Sequence, residues 1–125
     1  VRLGLEQRAA EPLDPDLVIP APGQGALAIE CLAQSDTTRA LLSPMSDPET
    51  EITVACERGV MQSVGGNCDI PFGAYAVRTG NELRVRAMLA TGQRVQRVER
   101  VIPWPDGPAS ALREGIDVGR SLLAQ

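Results

Sequence analysis

Between Glu11 and Gly25 the chain carries Pro12, Pro15, Pro20 and Pro22 together with Gly23 and Gly25. No helix runs through that density, because each proline lacks an amide donor and pushes its predecessor out of the α region. The stretch predicts an extended connector or hinge. It leads into Ala26-Leu27-Ala28-Ile29-Glu30-Cys31-Leu32, a nearly continuous apolar run of strand length that would be buried on both faces. Such a strand needs neighbours, and the sequence that follows offers no obvious parallel partner. The run is therefore expected to join a sheet formed by a part of the protein outside this chain. Arg2 to Arg8 reads in the same way, as the end of a helix whose beginning is missing.

The sequence after the hinge strand alternates clearly between two periods. Ser35-Asp36-Thr37-Thr38 offers cap residues ahead of a short helix that Pro44 stops. Asp47-Pro48-Glu49 then supplies an N-cap, a proline at N1 and an acid where the helix dipole favours negative charge. Ile52, Cys56, Gly59, Val60 and Ser63 recur at three- and four-residue steps, with Val64 beside the last, which predicts one small or apolar stripe facing a sheet. Cys56 reads as part of that core. Residues 72–79 and 82–91 read as strands around a tight Gly80-Asn81 connection, with Leu83, Val85, Ala87 and Leu89 on one face and Arg84, Arg86 and Met88 on the other. Gly92-Gln93 turns the chain into a third strand over 94–102, and Pro103, Pro105, Gly107 and Pro108 end the sheet. Residues 109–123 predict a second amphipathic helix with Leu112, Ile116, Gly119 and Leu123 on one side. The order gives an α+β fold: a three-stranded antiparallel sheet covered on one face by helices, preceded by an extended hinge strand.

Composition narrows the chemistry. Of 125 residues 43% are hydrophobic but only 2% aromatic, namely Trp104, Tyr75 and Phe72, so the core must be built from Leu, Val, Ile and Ala. No apolar stretch approaches the roughly 20 residues of a membrane span. A net charge of −4 and the lack of a long basic run argue against nucleic acid as a partner, while a charged small molecule remains open. Cys31, Cys56 and Cys68 form no Cys-x-x-Cys pair and are odd in number, which fits a reducing, cytoplasmic setting. With no histidine in the chain, a Cys-His dyad, a Ser-His-Asp triad and the usual zinc constellations cannot be completed within it, and no metal site is expected.

Cys68 lies in Gly65-Gly66-Asn67-Cys68-Asp69-Ile70-Pro71-Phe72-Gly73, between the end of helical periodicity near Val64 and the start of strand alternation at Phe72. Gly65 and Gly66 take positive φ without a Cβ penalty, Asn67 tolerates the left-handed region, and Pro71 stiffens the exit. The loop is shaped to present a side chain clear of the core. The competing reading is a small thiol buried beneath it.

Helix with Glu57-Arg58, glycine loop with Cys68, then Pro71-Phe72-Gly73-Ala74-Tyr75-Ala76 resembles the C-terminal part of the porphobilinogen deaminase (hydroxymethylbilane synthase) family. Pro20-Ala21-Pro22-Gly23-Gln24-Gly25-Ala26-Leu27-Ala28-Ile29-Glu30 resembles that family's segment returning from its second domain to its first, and Arg2-Leu3-Gly4-Leu5 resembles the helix end before it. The resemblance implies an enzyme that condenses four porphobilinogen units on a covalently held dipyrromethane primer, with Cys68 matching the attachment residue. It also implies substrate contacts from Arg2, Gln24 and Gly25 to porphobilinogen and the growing oligopyrrole. By the same resemblance, residues 1–34 would belong with missing N-terminal domains of the same protein and 35–125 would form the C-terminal cofactor-anchoring domain. The family's catalytic aspartate lies in its first domain and has no counterpart here, so no catalytic residue is expected in this fragment, which alone should be inactive. Glu57-Arg58 reads as a pair of structural salt-bridge partners. Asn67 departs from the two glycines that directly precede the cysteine in many members. A non-catalytic α+β regulatory or ligand-binding module is the alternative. A redox or acyl-transfer cysteine enzyme is weaker, for want of a histidine or a nearby resolving cysteine.

Overall fold

The computed structural model describes residues 3–65 and 70–124. Three helices and one antiparallel sheet account for the ordered elements: α1 (Asp36–Leu42), α2 (Pro48–Ser63), β1 (Phe72–Thr79), β2 (Glu82–Thr91), β3 (Arg94–Pro103) and α3 (Pro108–Leu123). The chain is α+β. The sheet order is β1-β2-β3, with Thr79 opposite Glu82 and Thr91 opposite Arg94 across two-residue turns. Gly80 at φ 63° and Gly92 at φ 59° supply the positive φ that such hairpins require.

Local chemistry accounts for where α2 and α3 begin. Asp47 Oδ1 accepts the Thr50 N–H at 2.9 Å, and Pro48 follows at the first helical position. At α3 the Ser110 hydroxyl accepts the Gly107 N–H at 3.3 Å, again ahead of a proline at the first position. The core is aliphatic, as the shortage of aromatics requires. Leu83, Val85, Ala87 and Leu89 of β2 cluster with Ile52, Cys56 and Val60 of α2 and with Ala111, Val118 and Leu122 of α3. Each large side chain buried there contributes roughly 1.5–3 kcal/mol, whereas an exposed pair such as Arg39 with Asp36 contributes at most about 1 kcal/mol. Burial decides the architecture, and surface charge trims it.

Two expectations need correction. The small face of α2 is turned chiefly toward α3 instead of the sheet: a Cβ on Gly59 would stand 2.2 Å from the Leu112 carbonyl oxygen, and one on Gly115 would stand 1.9 Å from that of Cys56. The buried side of α3 is Ala111, Gly115, Val118, Gly119 and Leu122, while Leu112 and Ile116 are half-buried and Leu123 is exposed. Among small residues, bulk does not mark the inner face; the close approach of two helix backbones at Gly115 does. Among residues 3–8 the chain forms a 3-10 turn at Glu6–Arg8, with Leu3 and Leu5 exposed. Residues 26–32 pair with no strand among the described residues, and Leu27, Ile29 and Leu32 are exposed, without a sheet from this chain to cover them.

The proline-rich connector folds back across the sheet. Its Asp14–Leu17 turn places Asp16 against Arg86, an ion pair in which the arginine is buried and lies 5.3 Å over the Tyr75 ring. Further on, the Pro20 carbonyl accepts the Ala74 N–H at 3.0 Å, so the connector runs along the outer edge of β1. The helix contact supplies a direct check. Gly115→Ala forces a methyl group against the Cys56 backbone and is expected to lower stability by about 1–3 kcal/mol, read as a reduced urea midpoint with an unchanged m-value.

Candidate functional site

Glu57 is the residue around which the described part of the site is built. It projects from α2 beside Cys56 and three residues before Val60, at the border of the buried stripe, and only 6% of its surface remains exposed. Its two carboxylate oxygens have separate duties. Oε2 accepts the Gly23 N–H at 2.7 Å and Oε1 accepts the Ala76 N–H at 2.8 Å. Among the described residues no cation pairs with it, so the salt-bridge role expected of Glu57-Arg58 is replaced by two backbone amides, and Arg58 lies exposed. Burial pushes the Glu57 carboxyl above its ordinary range, and the bonds from Gly23 and then Ala76 oppose that rise. A raised folded value means that this group stabilises the fold fully below its unfolded value, and that the contribution is lost as pH rises through the folded value. Burial favours the neutral carboxyl, while the two amide bonds favour the ionised one.

The tethered turn shapes the remaining geometry. Gly23 at φ 69° and Gly25 at φ 87° flank Gln24. The Gln24 side-chain oxygen accepts the Ala21 N–H at 3.1 Å while the Gln24 N–H donates to the Ala21 carbonyl at 3.0 Å, so the side chain closes its own turn. Gln24 and Gly25 are both exposed. A cavity of about 300 Å³ opens between this turn, α2 and β1, bounded by Gln24, Thr53, Glu57, Tyr75 and Arg78. Glu57 links the turn to Ala76 of β1, four residues past Phe72 and so, at ~3.3 Å per residue, ~13 Å along the strand from its first residue.

That loop leaves α2 through Gly65 at φ 68° and returns at Ile70, which packs against the core. Residues 66–69, including Cys68, and Arg2 lie outside the described residues. Both ends of the loop are anchored, by the helix on one side and the core on the other.

Two family models match the chain in sequence order. One, described as porphobilinogen deaminase, C-terminal domain, covers residues 51–124. The other, described as porphobilinogen deaminase, dipyromethane cofactor binding domain, covers residues 1–40. The chain belongs to the porphobilinogen deaminase family. The porphobilinogen deaminase of Sorangium cellulosum is 49% identical over 123 residues, a match spanning 97% of this chain and 41% of that protein. Those of Bordetella parapertussis and Bordetella bronchiseptica are each 42% identical over 125 residues, spanning 98% of this chain and 38% of theirs. The chain therefore covers about two fifths of the length of these relatives.

For a family with a dipyrromethane cofactor, the cysteines can be tested as anchors. Cys56 does not fit: it is fully buried against α3, and burial first, then the nearby Glu57 and Glu114 charges, push its thiol up to about 12. At neutral pH almost none of it is the thiolate that a carbon electrophile needs. Cys31 is exposed, and Cys68 lies outside the described residues. Among the described residues no cluster of His, Cys, Asp or Glu could hold a metal, and no helix is long and apolar enough to cross a membrane. Thiol titration separates the two described cysteines. In the native protein Cys31 should react promptly with a disulfide reagent, and Cys56 only after denaturant is added, as peptide mapping of the labelled sites will show.

Proposed function

We propose that the chain is the C-terminal portion of a hydroxymethylbilane synthase, the transferase of tetrapyrrole biosynthesis that condenses four porphobilinogen units head to tail, and that Cys68 carries its dipyrromethane primer. The observation that carries this reading is the ordered match of two models from one family to residues 1–40 and 51–124, with the glycine loop and its thiol inside the second. In this reading residues 1–34 belong with N-terminal domains and 35–125 form the anchoring domain.

The chemistry asked of Cys68 is one bond. Its thiolate, having lost a proton, adds to the electrophilic methylene carbon that a pyrrole bears once ammonia has departed, and a thioether forms. A thioether resists hydrolysis better than an oxygen ester, so the anchor outlasts each turnover. The primer, when bound, supplies the pyrrole end to which further units are joined. The acetate and propionate groups of those units call for fixed cations and amide donors, a role assigned to Arg2, Gln24 and Gly25. Gln24 uses its carbonyl within its own turn, which leaves its amide N–H groups for a ligand.

Intact mass measurement on the full-length protein tests the proposal. Wild-type protein and a Cys31→Ser variant should carry a mass increment of two pyrrole units on the peptide containing Cys68; Cys68→Ser should lack it and make no detectable hydroxymethylbilane. An unmodified Cys68 that is replaceable without loss of activity would instead favour a regulatory module. The 125-residue chain alone, given porphobilinogen, should yield no hydroxymethylbilane, since it spans only about two fifths of its relatives.

A further inference from the structure

We propose that Glu57 is a positioning residue for this reaction, a clasp that holds the Gly23–Gly25 turn in register with the strand leaving the Cys68 loop. The inference rests on the function proposed above. It comes from the geometry of one side chain. Glu57 stands on the helix that leads into the Cys68 loop, and its Oε1 receives the amide of Ala76 on the strand that leads out. Its Oε2 receives the amide of Gly23, next to the two residues assigned to the substrate. One buried carboxylate thus joins helix, strand and turn, the three elements whose relative placement sets where Gln24 and Gly25 lie along the sheet edge. The Pro20 carbonyl bond to Ala74 and the close approach of Ile19 to Gly73 fix the segment just before the turn, but among the described residues no hydrogen bond runs directly from the turn itself to the sheet.

The alternative is a purely structural acid that fills a gap between α2 and β1. The two roles differ in what substitution should do. Glu57→Gln keeps the shape and one acceptor oxygen, but its amide nitrogen must face one of the two N–H groups, donor against donor. Ala76 is held in β1 by its strand neighbours, so the turn is the part that should let go. A structural acid would show its loss as less folded protein, with the surviving molecules unchanged.

In the full-length enzyme, Glu57→Gln should retain the two-pyrrole mass increment and fold cooperatively. Amide exchange at Gly23 should quicken about tenfold or more, as the loss of a charge-assisted bond implies. The KM for porphobilinogen should rise roughly five- to tenfold while kcat changes less than about twofold, the signature of lost substrate positioning. Glu57→Ala should show the same pattern more strongly, and if it fails to fold the glutamine variant still decides. Unchanged exchange at Gly23, or an unchanged KM with kcat falling in step with the folded fraction, would overturn the clasp. A wild-type enzyme with no primer mass on Cys68 would overturn the proposed function and the clasp together, whereas a loaded enzyme with an indifferent turn would overturn the clasp alone.

Discussion

A buried carboxylate without a cation is costly unless hydrogen bonds to its ionised form offset the lost hydration, and at Glu57 two backbone amides offset part of it. Everything on the β1 side of the molecule follows from this arrangement. Ala76 is one of the amides that β1 turns away from β2, so without an outside acceptor it would be a buried donor with no partner. Gly23 belongs to a connector too rich in proline to form its own ladder. The carboxylate answers both needs at once, and it draws a segment remote in sequence onto the sheet.

The second constraint lies on the opposite flank of α2. Gly59, Gly115 and Gly119 let α2 and α3 approach until the backbone of one helix touches that of the other, with Cys56 sealed between them. A core almost without aromatic rings has few large side chains to span a gap, so close backbone approach takes the place of bulk. This contact also settles which face α2 has left for the sheet. Its remaining inner border, where Glu57 sits, is the one directed at β1.

How much of this was legible in the residues depends on the physics involved. The hairpins could be read because Gly80 and Gly92 mark turns and β2 alternates strictly in Leu83, Val85, Ala87 and Leu89. The α2 start could be read from Asp47 and Pro48, whose chemistry is local. The phase of α3 could not, since Leu112 and Ile116 are larger than the Ala111 and Gly115 that lie inside. The clasp could not either: a glutamate next to an arginine looks like a surface pair, and only the fold reveals that its partners are amides of residues 23 and 76. Its one sequence signal was position, three residues before the buried Val60. The pairing of Asp16 with Arg86 was hidden for the same reason, because each looks like an ordinary solvated charge until the connector folds over β2.

Edge strands explain why the connector should be held so closely. An open edge of a sheet presents amides and carbonyls that invite pairing with another chain, and small sheets must cover or charge them. At β3 the outer edge carries Arg94, Arg97 and Arg100, charge enough to discourage a visiting strand. At β1 the central residues Gly73, Ala74, Tyr75 and Ala76 are small or uncharged and offer no such defence. There the edge is covered instead: the Pro20 carbonyl takes the Ala74 amide, Glu57 takes the Ala76 amide, and Gly73 lets the Ile19 backbone come close. Prolines in the connector suit this duty, since a segment poor in amide donors can accept from β1 without exposing a new row of donors to solvent. The same residues that protect the edge therefore fix the Gly23–Gly25 turn beside it, so a change that loosened the turn would also uncover the strand.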